Sequence, residues 1–287
     1  MKIEGELARQ EARGVLHEGP SDAQRKLKVL DLFSGIGGFS LGLERTGGFE
    51  TVAFCEIEEF PRRVLAKHWP NVPIHRDVRE LKAEHVGAVD VICGGFPCQD
   101  ISVAGRRAGM EGTRSGLWSE IVRLYCEIRP RYLIVENVAG LLAGPSDRPG
   151  EWFGQVLGDL AAIGCDAEWH CIPASSVGAP HSRDRVWVVA YPHQEQRLRP
   201  IFDADDASQA IRLGAAERCE DGLRSKMGTA RRSVPGRWLD QPDAIGMADG
   251  VSDWPYRLGA CGNAVVPQIP EIIGRAILAA ERQRVAA

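Results

Sequence analysis

The segment from Val29 to Arg45 constrains the fold of this chain more than any other stretch. The apolar run Val29–Phe33 is typical of a buried strand, and it leads through the turn Ser34-Gly35-Ile36-Gly37-Gly38 into helical spacing. Glycines in such a turn let a ligand approach the backbone closely. The free N–H groups at the start of the helix then face the negatively charged part of that ligand. Strand, glycine turn and helix together favour a nucleotide-binding α/β domain, although a glycine turn alone is common at helix starts.

Acidic residues follow the next two predicted strands. The strand from Glu50 to Cys55 ends at Glu56, roughly 20 residues after the glycine turn, where an acid reaches ribose hydroxyls in nucleotide-binding domains. Residues 74–78 mark a third strand end, where Asp77 could accept a hydrogen bond from an adenine amino group. The alternative for both acids is a solvated loop charge. The spacing favours ribose binding for Glu56, and both interpretations stay open for Asp77.

A cysteine follows the predicted strand at 88–93, within the sequence Gly94-Gly95-Phe96-Pro97-Cys98-Gln99. Pro97 fixes the backbone before the thiol, and the two glycines remove side-chain bulk so that a flat substrate could approach. Since open α/β sheets bind ligands outside the carboxyl ends of their strands, Cys98 lies where a nucleophile would be expected. The alternative is an inert structural cysteine beside a turn.

A carboxylate and two arginines complete the candidate site. The strand from Tyr132 ends at Glu136-Asn137-Val138, and an adjacent parallel strand would bring Glu136 close to Cys98. Burial there would raise the pKa of Glu136 toward that of a useful acid. Arg183 and Arg185 flank the start of the strand 185–191 and should point to one face, as suits an anion or carbonyl site. A salt-bridged edge would explain them equally.

Composition limits the classes of function. The 287 residues carry 35 Lys and Arg against 39 Asp and Glu, a net charge of -4, so any nucleic-acid footprint must be local. The stretch 222–239 has five basic residues and no acid, which suits DNA contact or a flexible linker. Eight cysteines without C-x-x-C spacing predict reduced thiols and no zinc site. We expect a soluble, cytoplasmic protein, because no stretch has transmembrane or signal-peptide character.

As a set, these residues resemble the cytosine-5 DNA methyltransferase family. The resemblance covers roughly residues 28–192 and 257–285, which is most of the chain, and six motifs occur in the family's order. The motifs are the S-adenosylmethionine motif at 31–39, the ribose and adenine acids Glu56 and Asp77, the nucleophile motif at 95–99, the carboxylate motif at 136–138, the arginine motif at 181–185 and the last cofactor motif at 262–267.

The resemblance implies a reaction and its residues. Cys98 would add to C6 of a flipped-out cytosine, Glu136 would act at N3, and Arg183 would steer the base and stabilise the thiolate. Arg185 is expected to be a fourth catalytic residue. The methyl donor would be S-adenosylmethionine. Its expected contacts are Phe33, Gly35, Gly37, Gly38, Glu56, Ile57, Asp77, Val78, Pro97, Asn263 and Ala264.

The resemblance also implies an architecture. We expect an α/β, Rossmann-like methyltransferase fold, with a mostly parallel twisted sheet and helices on both faces. The expected divisions are a tail or short helix at 1–26, a catalytic and cofactor-binding domain at 27–192, a small irregular target-recognition region at 193–256 and a returning segment at 257–287. Expected partners are double-stranded DNA and a cognate restriction endonuclease system, with a monomeric protein and no membrane contact.

Three alternatives remain at this point. The tRNA-methylating branch of the same fold would keep every motif. A nicotinamide-binding dehydrogenase would use the glycine turn and Glu56 but leaves Cys98, Glu136 and the two arginines unexplained. A non-catalytic DNA-binding relative would not need the thiol, the carboxylate and the arginines together.

Overall fold

The computed structural model describes residues 25–96, 116–144, 148–179, 183–193, 201 and 263–286, and it is built around one seven-stranded sheet. The strands are β1 (Leu27–Leu32), β2 (Phe49–Cys55), β3 (Ile74–His75), β4 (Val91–Gly95), β5 (Tyr132–Val138), β6 (Cys165–Pro173) and β7 (Asp184–Pro192). The α-helices are α1 (Gly38–Arg45), α2 (Glu59–His68), α3 (Ala83–Val86), α4 (Leu117–Ile128), α5 (Gly140–Ala143), α6 (Glu151–Ala162) and α7 (Gln268–Ala286), and Ala174–Val177 forms a 3-10 turn.

The order of the strands across the sheet is β3-β2-β1-β4-β5-β7-β6. The pairs from β3 to β5 are all parallel, whereas β7 runs antiparallel to both β5 and β6. The chain order reverses between β1 and β4, and their carboxyl ends therefore form the crevice where ligands bind in open α/β sheets. The predicted mostly parallel α/β sheet is confirmed.

Each face of the sheet is covered by helices. On one face α4 and α6 pack against Leu30, Ile92 and Leu133, and on the other α1 and α7 pack against Val29, Val91 and Ile134. The alternation follows from the strand geometry, since successive side chains point to opposite faces. The strands are buried on both sides, which is why they appear in the sequence as nearly continuous apolar runs.

Strand boundaries differ from the expected ones where a polar group interrupts the pairing. The fourth strand starts at Val91 rather than three residues earlier, because Asp90 is used as an anchor. Its carboxylate accepts from the Lys28 N–H at 2.9 Å and binds the Arg25 guanidinium at 2.7 Å, while its carbonyl accepts from the N–H groups of Arg131 and Tyr132. Asp90 therefore fixes the amino ends of three adjacent strands.

The last helix, α7, packs on α1 at very short range. A Cβ atom added to Gly42 would lie 2.2 Å from the carbonyl oxygen of Pro267, and one added to Gly274 would lie 3.0 Å from Leu43. At the far end of the helix, Glu281 binds the guanidinium of Arg131 and the hydroxyl of Tyr132. Helix α7 therefore covers one sheet face and holds the segment before it against the glycine turn.

Within the described part of the chain, no helix is both long and apolar enough to span a bilayer. Residues 1–24 of the expected tail at 1–26 and nearly all of the expected recognition region at 193–256 lie outside the described residues.

Candidate active site

The glycine turn after β1 forms a cradle with no room for a side chain at Gly37 or Gly38. Gly35 and Gly37 have φ values of +52° and +86°, in the left-handed region that favours glycine. A Cβ on Gly37 would lie 2.6 Å from the Trp69 ring, and one on Gly38 would lie 2.4 Å from the carbonyl oxygen of Val265. Phe33, at the start of the turn, has a φ of 51° although it is not glycine, a strained conformation that tends to occur at functional sites.

Glu56 lies at the carboxyl end of β2 and is almost fully buried. One carboxylate oxygen accepts from the Gly35 N–H at 2.7 Å and the other from the Glu58 N–H at 2.8 Å. Each oxygen keeps a further lone pair for a ligand hydroxyl. The next residue, Ile57, is 61% exposed, a large apolar side chain on the rim of the crevice.

Asp77 follows β3, where the pairing of Cys55 with His75 aligns the two strand ends. Its carboxylate accepts from the backbone and guanidinium of Arg79 at 2.8–3.0 Å, and these hydrogen bonds lower the pKa of Asp77. The carboxylate is therefore ionised and is an acceptor. Val78 is buried in the core below it.

The segment before α7 reaches the same crevice. Asn263 and Ala264 precede Val265, whose carbonyl oxygen lies against Gly38. Residues more than 200 positions apart in sequence are thus adjacent at the glycine turn, at the place where the last cofactor motif was expected.

Glu136 occupies the carboxyl end of β5, directly opposite Gly95 of β4. Arg185, on the antiparallel strand β7, donates from Nε to Oε1 of Glu136 at 2.9 Å. The other oxygen, Oε2, lies close to the backbone of Gly95, and a Cβ atom added to Gly95 would be only 2.9 Å from it. The absence of a side chain at Gly95 therefore leaves one edge of the carboxyl group accessible from β4.

The electrostatics favour a protonatable carboxyl group at Glu136. Burial raises its pKa above the ordinary value, while the charges of Arg185 and Arg183 and the Arg185 hydrogen bond oppose the rise without cancelling it. Burial in turn lowers the pKa of Arg183, and the neighbouring charge of Arg185 acts in the same direction. Arg183 has a φ of 34°, so its backbone is strained next to this carboxyl group.

Asn137 is a site residue that sequence reasoning did not single out. It is 3% exposed, and its Nδ2 donates to the carbonyl oxygen of Phe96 at 2.8 Å. The Phe96 ring packs at 5.1 Å from Trp118. These two contacts fix the backbone immediately before Pro97 and Cys98, which themselves lie outside the described residues together with His181.

The described residues fit a nucleoside-type cofactor. The glycine turn provides a cradle without side chains, Glu56 offers carboxylate oxygens, Ile57 an apolar surface and Asp77 an ionised acceptor. All four lie at the carboxyl ends of β1, β2 and β3, while Glu136 and Arg185 lie at the ends of β5 and β7. The crevice therefore has one half lined by the glycine turn and acidic acceptors, and another half that holds the buried carboxyl group and its arginine.

This sheet, with its glycine turn and one antiparallel strand beside β5, defines a Rossmann-like methyltransferase fold. The sequence specifies the family within it. The chain belongs to the C-5 cytosine-specific DNA methylases, whose family model matches residues 27–232.

Curated relatives point the same way. The chain is 31% identical over 245 residues to Type II methyltransferase M2.BsuMI of Bacillus subtilis (strain 168), covering 80% of this chain and 60% of that protein. It is 35% identical over 179 residues to Type II methyltransferase M.Sau3AI of Staphylococcus aureus, covering 58% of this chain and 43% of the relative. The chain thus spans about half the length of the curated relatives it matches.

Among solved structures, the chain is similar to a protein assigned as a DNA modification methyltransferase encoded within an E. coli prophage. The TM-score is 0.50 at 27% identity, and the match covers 61% of this chain and 49% of the other.

Proposed function

We propose that this protein is a DNA (cytosine-5)-methyltransferase that transfers the methyl group of S-adenosylmethionine to C5 of a flipped-out cytosine, through a covalent bond between Cys98 and C6. The observation that carries the proposal is the register of Gly95 opposite Glu136, with Arg185 bound to the carboxylate. Family membership and the cofactor-shaped crevice support it.

The register limits how far the proposed nucleophile can be from the carboxyl group. Cys98 follows Gly95 by three residues, so its Cα lies within about 11 Å of the Gly95 Cα by the reach of the chain. The hydrogen bond from Asn137 to Phe96 fixes the start of that segment. A cytosine ring between the thiol and Glu136 would then have C6 and N3 on opposite sides, each facing one of the two groups.

The chemistry requires both groups at once. C5 of cytosine is a weak nucleophile because the ring is aromatic. Addition of the Cys98 thiolate to C6 makes C5 electron-rich, and the developing negative charge appears at N3. A protonated Glu136 can donate to N3, and burial favours that protonated form.

The arginines have separate roles in this scheme. Arg185 holds Oε1 of Glu136 and leaves Oε2 for the base. Arg183 carries a positive charge toward the same carboxyl group, and we assign it to steering the base and stabilising the thiolate. After methylation, N3 returns its proton to Glu136 and solvent takes the proton from C5. The C6–S bond then breaks, the C5–C6 double bond re-forms and Cys98 leaves as the thiolate.

S-adenosylmethionine, when bound, supplies an electrophilic methyl group on its sulfonium. Glu56 would hold the ribose hydroxyls of this cofactor. Asp77 and Val78 would contact its adenine ring, and Ile57 would cover one face of that ring. The glycine turn, with Asn263 and Ala264, would hold the methionine portion. Pro97 would contribute from the nucleophile segment.

Double-stranded DNA is the proposed substrate, since a paired base hides its C5 and C6 inside the stack and must be flipped out. We assign target recognition to residues 193–256, including the basic stretch 222–239, and propose a monomer that works alongside a cognate restriction endonuclease.

The test is transfer of isotope-labelled methyl groups from S-adenosylmethionine to mixed-sequence duplex DNA and, separately, to tRNA, followed by nucleoside digestion and mass spectrometry. We expect labelled 5-methyldeoxycytidine from DNA. Label found in tRNA alone would refute the DNA assignment and favour the tRNA-methylating branch. Cofactor binding without label in either nucleic acid would contradict the proposed reaction.

A further inference from the structure

A buried carboxylate lies directly beneath the glycine turn. Helix α1 begins after Gly37 and has no side-chain cap of its own. Asp31, which lies on β1 and not in the helix, acts as the cap. Its Oδ2 accepts hydrogen bonds from the Ser40 hydroxyl at 2.7 Å and from the Ser40 N–H at 3.3 Å. An anion at this place also interacts favourably with the helix dipole. Asp31 therefore joins the sheet to the first turn of α1.

The turn is held from its other end by a second carboxylate. Glu56 accepts from the Gly35 N–H at 2.7 Å, and the Ser34 hydroxyl donates to the backbone carbonyl of Asp31 at 2.6 Å. The conformation of the cradle thus depends on two acids that repel each other, since the charge of Glu56 disfavours ionisation of Asp31. A cation placed above the turn would relieve that repulsion.

Within the ranges that the structure describes, the groups that act on Asp31 include no cation. They are Glu56 from the segment after β2, the Cys93 thiol from β4 and Ser40 from α1. Asp31 is 0% exposed, and its Oδ1 accepts no hydrogen bond from an N–H or O–H group in the part of the chain that the structure describes. Burial raises the pKa of Asp31 to about 7, so both protonation states are populated near neutral pH.

We propose that Asp31 is a positioning residue of the cofactor site, which sets the glycine turn and, as an anion without a counter-cation, makes the site prefer the cationic sulfonium cofactor to its neutral thioether product. This inference rests on the proposed use of S-adenosylmethionine. That cofactor carries a sulfonium, an ammonium and a carboxylate, for a net charge of +1, whereas S-adenosylhomocysteine has lost the sulfonium charge. Only the cofactor therefore drives Asp31 toward its ionised form.

The expected effect has a definite sign. A cation favours the carboxylate, so binding S-adenosylmethionine near pH 7 releases a fraction of a proton from Asp31, and affinity increases as the pH rises through 7. A unit charge about 10 Å away, at an effective dielectric constant of about 20, changes the ionisation constant roughly ten-fold. We expect a 3- to 10-fold gain in affinity for S-adenosylmethionine between pH 6 and 8, and less than about two-fold for S-adenosylhomocysteine.

The experiment is isothermal titration calorimetry of both ligands into the full chain from pH 6 to 8.5. Each titration is repeated in buffers with different heats of ionisation, which gives the number of protons released. Asp31→Asn, which keeps an acceptor for the Ser40 N–H, should abolish proton release and reduce the preference for S-adenosylmethionine. Ser40→Ala loosens the turn and removes a hydrogen bond that lowers the pKa of Asp31, so it should weaken both ligands and move the pH dependence for S-adenosylmethionine to higher pH. Glu136→Gln removes the other carboxyl group, among the described residues, whose pKa is raised by burial, and it should leave the proton count unchanged.

The outcomes separate this inference from the proposed function. S-adenosylmethionine that binds with no proton release, or with the same pH dependence as the product, would overturn the role of Asp31 while leaving the proposed cofactor intact. This comparison in the unmodified protein is decisive even if Asp31→Asn does not fold. Failure to bind either ligand would overturn the proposed cofactor and this inference with it.

Discussion

Two adjacent glycines at the end of β4 allow a sharp test of the proposed catalytic carboxyl group. A Cβ atom on Gly95 would lie 2.9 Å from Oε2 of Glu136, with every other neighbour at 3.8 Å or more. Neither Gly95 nor Gly94 has a φ in the left-handed region, so alanine is conformationally permitted at both. Among the described residues, Gly95→Ala therefore presses only on the tip of the Glu136 side chain.

The magnitude follows from what has to move. The Glu136 carboxyl group can rotate away by a few tenths of an ångström at little cost, so the free energy of unfolding should change by less than about 1 kcal/mol, or roughly 2–4 °C in Tm. The displaced carboxyl group can no longer meet N3 with good geometry. Because general acid catalysis is worth about 10²- to 10⁴-fold and depends on placement, kcat should fall about 10- to 100-fold.

Gly94→Ala is the matched control, because its Cβ would lie 2.6 Å from the backbone carbonyl oxygen of Leu32 in the neighbouring strand. A backbone in the middle of a sheet cannot yield, so this variant should lose about 1–3 kcal/mol of stability. The assays are thermal unfolding and single-turnover methyl transfer. A Gly95→Ala enzyme with unchanged kcat, or one destabilised as much as Gly94→Ala, would refute the placement of Oε2 as the functional oxygen.

Three further predictions concern the remaining site residues. Cys98→Ser should abolish methyl transfer while calorimetric cofactor binding persists, and a full rate would remove Cys98 from the mechanism. Glu56→Ala should weaken cofactor binding about 10- to 100-fold, the usual range for lost hydrogen bonds to a charged group, and an unaltered Kd would count against the ribose assignment. Since a protonated Glu136 is required, kcat should fall as the pH rises through its pKa. Arg185→Gln removes a charge that lowers this pKa and should shift that fall to higher pH, so a shift to lower pH would contradict the assignment.

The sequence predicts those parts of the site that depend on one strand at a time. Glu56 and Glu136 lie at strand ends, and an acidic residue directly after an apolar run is visible in the sequence. Sheet order is also accessible, because parallel strands with helical connections leave few topologies. The burial of Glu136 follows from that position and so does the direction of its pKa.

Contacts that depend on register between distant strands could not be predicted. Which arginine binds Glu136 is decided by the antiparallel alignment of β5 with β7, where a slip of one residue would turn Arg185 to the opposite face. The hydrogen bonds from Asn137 to Phe96 and from Ser40 to Asp31 also join segments that no local pattern connects. A buried aspartate within an apolar strand was the one available sign of the second contact.

The close packing of α7 on α1 has a consequence for how the protein is made. Gly42 of α1 contacts Pro267, so the apolar surface formed by Leu43 of α1 and the adjacent sheet face stays uncovered until the ribosome has added more than 200 further residues. At about 5–20 residues per second, that interval lasts roughly 10 to 45 s, far longer than hydrophobic collapse. A nascent chain would therefore expose this apolar face to chaperones and to other nascent chains throughout most of its synthesis, and a premature stop before α7 would leave it exposed permanently.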